Sequence, residues 1–329
     1  MGLRWGYMGT GRIAHVVAAD FKIAGLNIQA VGSRNIESAQ AFAKAHSIPE
    51  AHGSYEELVA NPNIDIVYIS TLNFVHAENA LLAINAGKHV LLEKPFTMDA
   101  KQALRIQKAA REKNVFVMEA MWTRFLPSMD AVFDVLKKGT IGKPQMVIAD
   151  HSQYLPPEIS SRLWDLHTGG GALLDLGIYP ISFAARVLGL PDEVLAVGRI
   201  AFEGMDEATS MVFNYEDGSQ AALTTCMTVA GPVTATILGE KGSIEIDKTF
   251  YAQTSFTVYD NERNVLLRYD TPPVPGTGRQ FQAIEAERCV AAGLIESPVM
   301  SVEESVDLMQ IMDDIRLEIG VIWDYEDVR

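Results

Sequence analysis

The 329-residue chain reads as an α/β domain with a parallel sheet, followed by an α+β domain with an open, mostly antiparallel sheet. Three observations predict this. A glycine turn, Gly9-Thr10-Gly11-Arg12-Ile13-Ala14, joins an apolar strand to a helix at the chain start. Strand and helix patterns then alternate as far as Glu119, which implies a parallel sheet covered by helices on both faces. After Trp122 the alternation stops, and extended runs follow one another through hairpin-type turns. The length exceeds one ordinary core, so two domains are expected, 1–121 and 122–329.

In order, Leu3–Met8 is a predicted strand and Ile13–Ala24 a helix. Ile28–Ser33 is a strand and Ile36–His46 an alanine-rich helix. A short extended piece at Ala51–Gly53 precedes a helix opened by Ser54, with Glu57 completing a capping box. Ile64–Ser70 is β-branched and nearly continuous, as a strand covered on both faces should be. A helix over Phe74–Ala86 ends at Gly87, then come strand His89–Leu92, helix Met98–Lys113 and strand Phe116–Glu119. In the second part, helix Pro127–Lys138 leads to a long extended run, Lys143–Tyr154. Further strands are predicted at Val194–Glu203, Ser210–Tyr215, Ser219–Thr228, Val233–Gly239, Ser243–Ile246, Ser255–Tyr259 and Asn264–Asp270. Helices at Arg279–Ala292 and Val302–Gly320 close the chain. An open sheet built on hairpins leaves a face to cover, and self-association covers it.

The formal net charge of −15 argues against nucleic acid or an anionic membrane as partner, since both need basic surface. It does not exclude an anionic cofactor, which needs only a local positive pocket. No apolar run reads as long as the ~18 residues of a membrane span, and the first residues read as a strand, with no leader pattern. The two cysteines, Cys226 and Cys289, have no metal-ligand spacing and fit a reducing cytoplasm. No cluster of His, Cys and carboxylates suggests a metal.

The glycine turn is built for a dinucleotide. Gly9 allows the tight turn, Gly11 lets the backbone approach a pyrophosphate, and Ala14 lets helix and strand pack closely. Free N–H groups at the helix start then meet the phosphates. NAD enzymes place an acid at the end of the second strand, but here Val31-Gly32-Ser33-Arg34 has none. Ser33 and Arg34 instead suit a 2′-phosphate, which predicts NADP rather than NAD.

Two motifs carry chemistry. Glu93-Lys94-Pro95 falls at the end of a parallel strand, where ligands lie in open α/β sheets. The Lys94 ammonium is suited to stabilise a substrate oxygen, with Glu93 orienting it, and the Lys94–Pro95 bond is a candidate cis peptide. In the second motif a flexible triple glycine, Gly169-Gly170-Gly171, leads into a helix carrying Asp175 and Tyr179 on one face at i, i+4. Tyr179 can exchange a proton with a substrate oxygen if a nearby ammonium lowers its pKa from about 10, and Asp175 can orient the substrate hydroxyl or the lysine. His76 is a candidate cofactor or substrate contact. Arg162, Trp164 and His167 lie on a loop before the glycines, and His151 and His167 read as structural or peripheral.

Together these motifs resemble the glucose–fructose oxidoreductase / inositol dehydrogenase family, and within it the dimeric dihydrodiol dehydrogenase / NADP-dependent D-xylose dehydrogenase branch. Tyr55-Glu56-Glu57-Leu58, Met118–Phe125 and the Glu296-Ser297-Pro298-Val299 tail support it, and the likeness spans essentially the whole chain. The resemblance implies a Rossmann domain followed by one whose sheet packs across a homodimer. It implies a catalytic pair, Lys94 and Tyr179, with Asp175 beside them. It implies nicotinamide-side contacts from Thr71, Asn73, His76, Glu93 and Lys94, with Trp122 and Arg124 flanking the cofactor. Many members carry His at the position of Tyr179, which sets this chain with the sugar and diol branch. The implied activity is hydride transfer between NADP(H) and a small-molecule sugar, polyol or cyclic diol. Two alternatives are a non-catalytic NADP-sensing regulator and a reductase of an anhydrosugar or other carbonyl.

Overall fold

A computed structural model describes residues 2–323. The chain divides into two compact units, Met1–Phe125 with Val274–Val306, and Leu126–Pro273 with Asp307–Arg329. These bounds differ from a single cut after residue 121, because the segment after the second sheet returns to the first unit.

The first unit is a six-stranded parallel sheet of order β3-β2-β1-β4-β5-β6. Its strands are β1 (Arg4–Met8), β2 (Asn27–Gly32), β3 (Glu50–His52), β4 (Ile66–Ile69), β5 (His89–Glu93) and β6 (Val117–Ala120). The helices are α1 (Arg12–Ile23), α2 (Ile36–His46), α3 (Tyr55–Ala60), α4 (His76–Asn85) and α5 (Ala100–Lys113). Order reverses between β1 and β4, the switch point where open sheets leave a crevice. All four residues of β4 are buried, as its unbroken apolar run predicts. Trp5, Tyr7, Phe21 and Tyr68 pack ring against ring beneath the sheet. The capping box at α3 is shifted by one residue. Ser54 accepts from Glu57 N, but the Glu57 carboxylate accepts from Gly53 N. The returning segment is anchored on α1, where the buried Asp20 carboxylate accepts from Thr277 N and Arg279 N, each at 2.9 Å. Helix α8 (Gln280–Ala291) follows, and its Glu287 accepts from the Trp5 indole.

The second unit holds an eight-stranded sheet of order β14-β13-β12-β11-β7-β10-β9-β8. The strands are β7 (Pro144–Ser152), β8 (Glu193–Ile200), β9 (Asp206–Asn214), β10 (Gln220–Cys226), β11 (Ala235–Gly239), β12 (Gly242–Ile246), β13 (Phe256–Asp260) and β14 (Val265–Tyr269). Every pairing is antiparallel except β7 with β10. Helix α6 (Pro127–Lys137) precedes the sheet, α7 (Ile178–Leu188) packs on one face, and α9 (Val302–Glu318) lies near the end of the chain. Residues alternate along β9 and β10. Met211, Phe213, Ala221 and Leu223 point inward, while Ser210, Val212 and Thr224 point to solvent. One stretch, Leu166–Leu188, is in fact long and apolar enough to cross a membrane, contrary to the expectation from sequence. However, 83% of its window is buried inside the fold, as in a core helix.

Candidate active site

In the first unit, the turn after β1 fits a dinucleotide. Gly9 adopts φ +106, and a side chain there would press on the Ser70 carbonyl at 3.1 Å. Gly11 is the N-cap of α1 and makes no side-chain cap, so the first N–H groups of the helix point out unmasked. A Cβ on Gly11 would meet nothing within 4 Å, which leaves room for a pyrophosphate beside Thr10, Arg12 and Ile13. At the end of β2, Arg34 is exposed, and burial pushes the half-buried Tyr55 phenol up against the downward pull of the Arg34 charge. Asn35 N donates to Ser33 Oγ at 3.4 Å, and Asn35 Oδ1 caps α2 by accepting from Ser38 N. The sequence argument missed Tyr55 as a neighbour of Arg34. It stands 21 positions further on, and nothing local signals the contact.

Lys94 follows β5 directly, and its flanks are clamped. The buried Glu93 accepts from Tyr68 Oη at 2.6 Å. Burial pushes the Glu93 carboxyl up, against the pull of Tyr68, Arg279 and Lys94. The Lys94–Pro95 peptide is cis. His76 Nδ1 lies 2.9 Å from Pro95 O, and its Nε2 lies 3.1 Å from Thr71 O. The fully buried His76 ring therefore ties the Thr71 loop to the Pro95 turn, a supporting place beneath the surface rather than an open contact. Asn79 donates to Thr71 Oγ1, and Asn73 is buried in the same loop.

Trp122 and Arg124 are both buried. The Arg279 guanidinium stacks on the Trp122 ring at 4.0 Å. Arg124 pairs with Glu304 at 2.7 Å, an internal tie rather than an exposed cation. Nearby, the buried Glu119 accepts from Ser305 Oγ at 2.8 Å, and burial raises its carboxyl to about 7. A group raised in the folded state above its ordinary value of 4.5 contributes stability that is complete below that value and fades as pH climbs through about 7. Glu119→Gln therefore gains about 1–3 kcal/mol over the parent at pH 8 and almost nothing at pH 4.5. Urea unfolding at the two pH values measures this, and an equal effect at both would contradict it.

In the second unit, the glycines before Asp175 are not flexible. Gly169 closes a 3₁₀ turn at φ +75. A Cβ on Gly170 would sit 2.6 Å from the Leu163 carbonyl, and one on Gly171, at φ +113, would collide with Asp206 Oδ1. The buried Asp206 carboxylate accepts from Leu173 N (2.9 Å) and Thr209 Oγ1 (2.8 Å). Burial raises it to about 6 despite these bonds. Asp206 thus caps the helix that carries the predicted pair, and the sequence argument missed it. The helix opens as a π turn, Leu173–Gly177, before α7 begins. Asp175 lies in the π turn and Tyr179 in α7, so the α-helical i, i+4 alignment does not hold between them. Asp175 pairs with Arg162 at 2.8 Å. Trp164 donates to Leu155 O, and the His167 backbone N–H donates to Asp165 Oδ1, so both serve the loop.

His151, read from sequence as structural or peripheral, packs edge-on against Tyr179 with ring centroids 5.0 Å apart. Lys94 belongs to the first unit and Tyr179 to the second. Among the described residues no group of His, Cys and carboxylates is arranged to hold a metal.

Comparison with known proteins agrees with this layout. The model of an oxidoreductase family with an NAD-binding Rossmann fold (Gfo/Idh/MocA) matches residues 3–121, and that family's C-terminal domain matches residues 129–245. Trans-1,2-dihydrobenzene-1,2-diol dehydrogenase of Danio rerio is 38% identical, covering 98% of both chains. The Xenopus laevis protein of the same name is 35% identical over 98% of this chain and 100% of its own. A 3-ketoreductase from Actinomadura kijaniata, solved with NADP and TDP-benzene, superposes with a TM-score of 0.84 at 28% identity, covering 97% of this chain and 98% of its own. The curated relatives thus match the chain over nearly its whole length, and the chain belongs to the Gfo/Idh/MocA oxidoreductase family.

Proposed function

We propose that the protein is an NADP-dependent dehydrogenase or reductase acting on a CH–OH carbon of a sugar, polyol or cyclic diol. The observation that carries this is Lys94, held at the carboxyl end of a parallel strand between two anchored neighbours. Full-length relatives named for a cyclic diol support the substrate class. When bound, the nicotinamide supplies or accepts the hydride. Gly9, Thr10, Gly11, Arg12 and Ile13 hold the pyrophosphate, and Ser33 and Arg34 hold the 2′-phosphate. Thr71, Asn73, Glu93 and Trp122 shape the nicotinamide end, with His76 and Arg124 supporting from beneath. Tyr179 holds and moves the proton of the substrate hydroxyl. Lys94 stabilises that oxygen as its charge changes. Asp175, fixed by Arg162, orients the substrate.

The test is a screen of trans-1,2-dihydrobenzene-1,2-diol, D-xylose and related polyols, read as NADPH absorbance. Turnover with NADP is expected to exceed that with NAD, and Arg34→Ala to weaken NADP binding by about tenfold to a hundredfold. Tight NADP binding without turnover on any alcohol, and with a protein partner, would favour a cofactor-sensing regulator. Activity confined to carbonyl reduction would favour an anhydrosugar or similar substrate.

A homodimer through the second sheet belongs to the same proposal. The face turned away from α7 exposes Ile148, Leu195, Val197 and Val212, and Val197 is 72% accessible. Contiguous apolar positions on an open sheet face suit an identical copy related by a twofold axis. Light scattering should give about twice the 36.1 kDa chain mass, and Val197→Asp should halve it. A monomeric parent protein would end this part of the proposal. A cytoplasmic location accords with two free cysteines, one of them buried.

A further inference from the structure

The surroundings of Tyr179 in the second unit contain a hydrogen-bond chain that the proposed reaction leaves unused. His151 is the last residue but one of β7 and is 1% exposed. Its Nδ1 lies 3.0 Å from Leu176 O. A carbonyl only accepts, so Nδ1 carries the proton. Nε2 is then an acceptor, and Gln153 Nε2 donates to it at 2.7 Å. The same amide nitrogen donates its other hydrogen to Tyr251 Oη at 2.8 Å. Gln153 thereby sets the tautomer of His151, and His151 orients the amide that holds Tyr251.

The rings form a cage around Tyr179. Tyr251 stacks on His151 with centroids 4.3 Å apart, and Tyr179 meets Tyr251 at 4.8 Å and His151 at 5.0 Å. Leu176, the acceptor, sits inside the π turn between Asp175 and Tyr179. A π turn widens the helix by one residue and shifts its carbonyls out of the usual ladder, so a side-chain donor there selects that geometry over an ordinary α turn. A one-residue change of register would rotate Asp175 relative to Tyr179.

We propose that His151, locked as its Nδ1–H tautomer by Gln153, is a positioning residue that holds the π turn and the Tyr179 ring in their working geometry. This rests on the reading of Tyr179 as the proton-carrying group. Packing alone would require the ring but not its nitrogens, and that difference can be tested.

His151→Phe keeps an aromatic ring and removes both nitrogens, whereas His151→Asn places an amide nitrogen near the Nδ1 position. His151→Phe is expected to lower kcat by about tenfold or more with little change in KM, and His151→Asn to recover most of it. If His151→Phe retains parental kcat, or if His151→Asn is as impaired as His151→Phe, the proposal is wrong. Imidazole ¹⁵N spectra of the parent protein, assigned by the signal missing in His151→Asn, give a readout independent of turnover. The Nδ1–H form is expected, and a dominant Nε2–H form would overturn the proposal. Tyr179→Phe in parallel separates the two ideas. Full turnover in that variant refutes the proton-carrier reading, whereas its loss alongside an unaffected His151→Phe refutes only the positioning role.

Discussion

Lys94→Ala lowers kcat by ~10²–10⁴-fold while NADP affinity changes little. The ammonium stands just past β5, where the crevice of an open parallel sheet receives its ligand. Tyr68 fixes the preceding carboxylate at 2.6 Å, and His76 fixes the following carbonyl at 2.9 Å. The charge is thus carried on a backbone that need not reorganise when negative charge grows on a substrate oxygen. Alanine removes the charge and leaves both anchors in place. The glycine turn at Gly9 and Gly11 and the segment carrying Arg34 lie on other loops, so dinucleotide binding is expected to persist. Calorimetric titration with NADP beside steady-state kinetics separates these effects. More than about a tenth of parental turnover in the variant would remove Lys94 from the chemistry.

Gly171→Ala destabilises the protein by about 3–5 kcal/mol and lowers turnover with it. Two effects add. At φ +113 any side chain strains the backbone. The new Cβ also collides with Asp206 Oδ1, whose carboxylate holds the Leu173 N–H and the Thr209 hydroxyl. Moving a buried carboxylate breaks charge-assisted bonds worth about 1.5–3 kcal/mol each. Gly189→Ala is the control. That residue also has positive φ, +90, but a Cβ there meets nothing within 4 Å, so only strain of about 1–2 kcal/mol is expected. Denaturant midpoints of the two variants check the difference, and equal losses would show that the Asp206 contact carries no weight.

Local signals made much of the fold legible. Period-2 alternation in β9 and β10 and the unbroken apolar run of β4 each depend only on near neighbours in sequence. The glycine turn was legible for the same reason, since its chemistry is backbone geometry set within six residues. Glu93-Lys94-Pro95 was legible as a motif, but its anchors were not. Tyr68 and His76 reach it from neighbouring β4 and α4, and only the parallel register of β4 with β5 brings Tyr68 into line. The triple glycine shows the same limit. Its composition suggests freedom, whereas Leu163 O and Asp206 Oδ1 leave no room for a side chain.

The sequence by itself determined the order and kind of most elements and the place of the glycine turn between β1 and α1. The tertiary structure alone decided that β7 pairs in parallel with β10, that residues 274–306 return to the first unit and that a π turn separates Asp175 from Tyr179. It also decided that His151 belongs beside Tyr179. Propensity and patterning act over a few residues, whereas the pairing of β7 with β10 and the packing of His151 on Tyr179 join positions far apart in sequence, where packing and the need to satisfy buried polar groups select the partner.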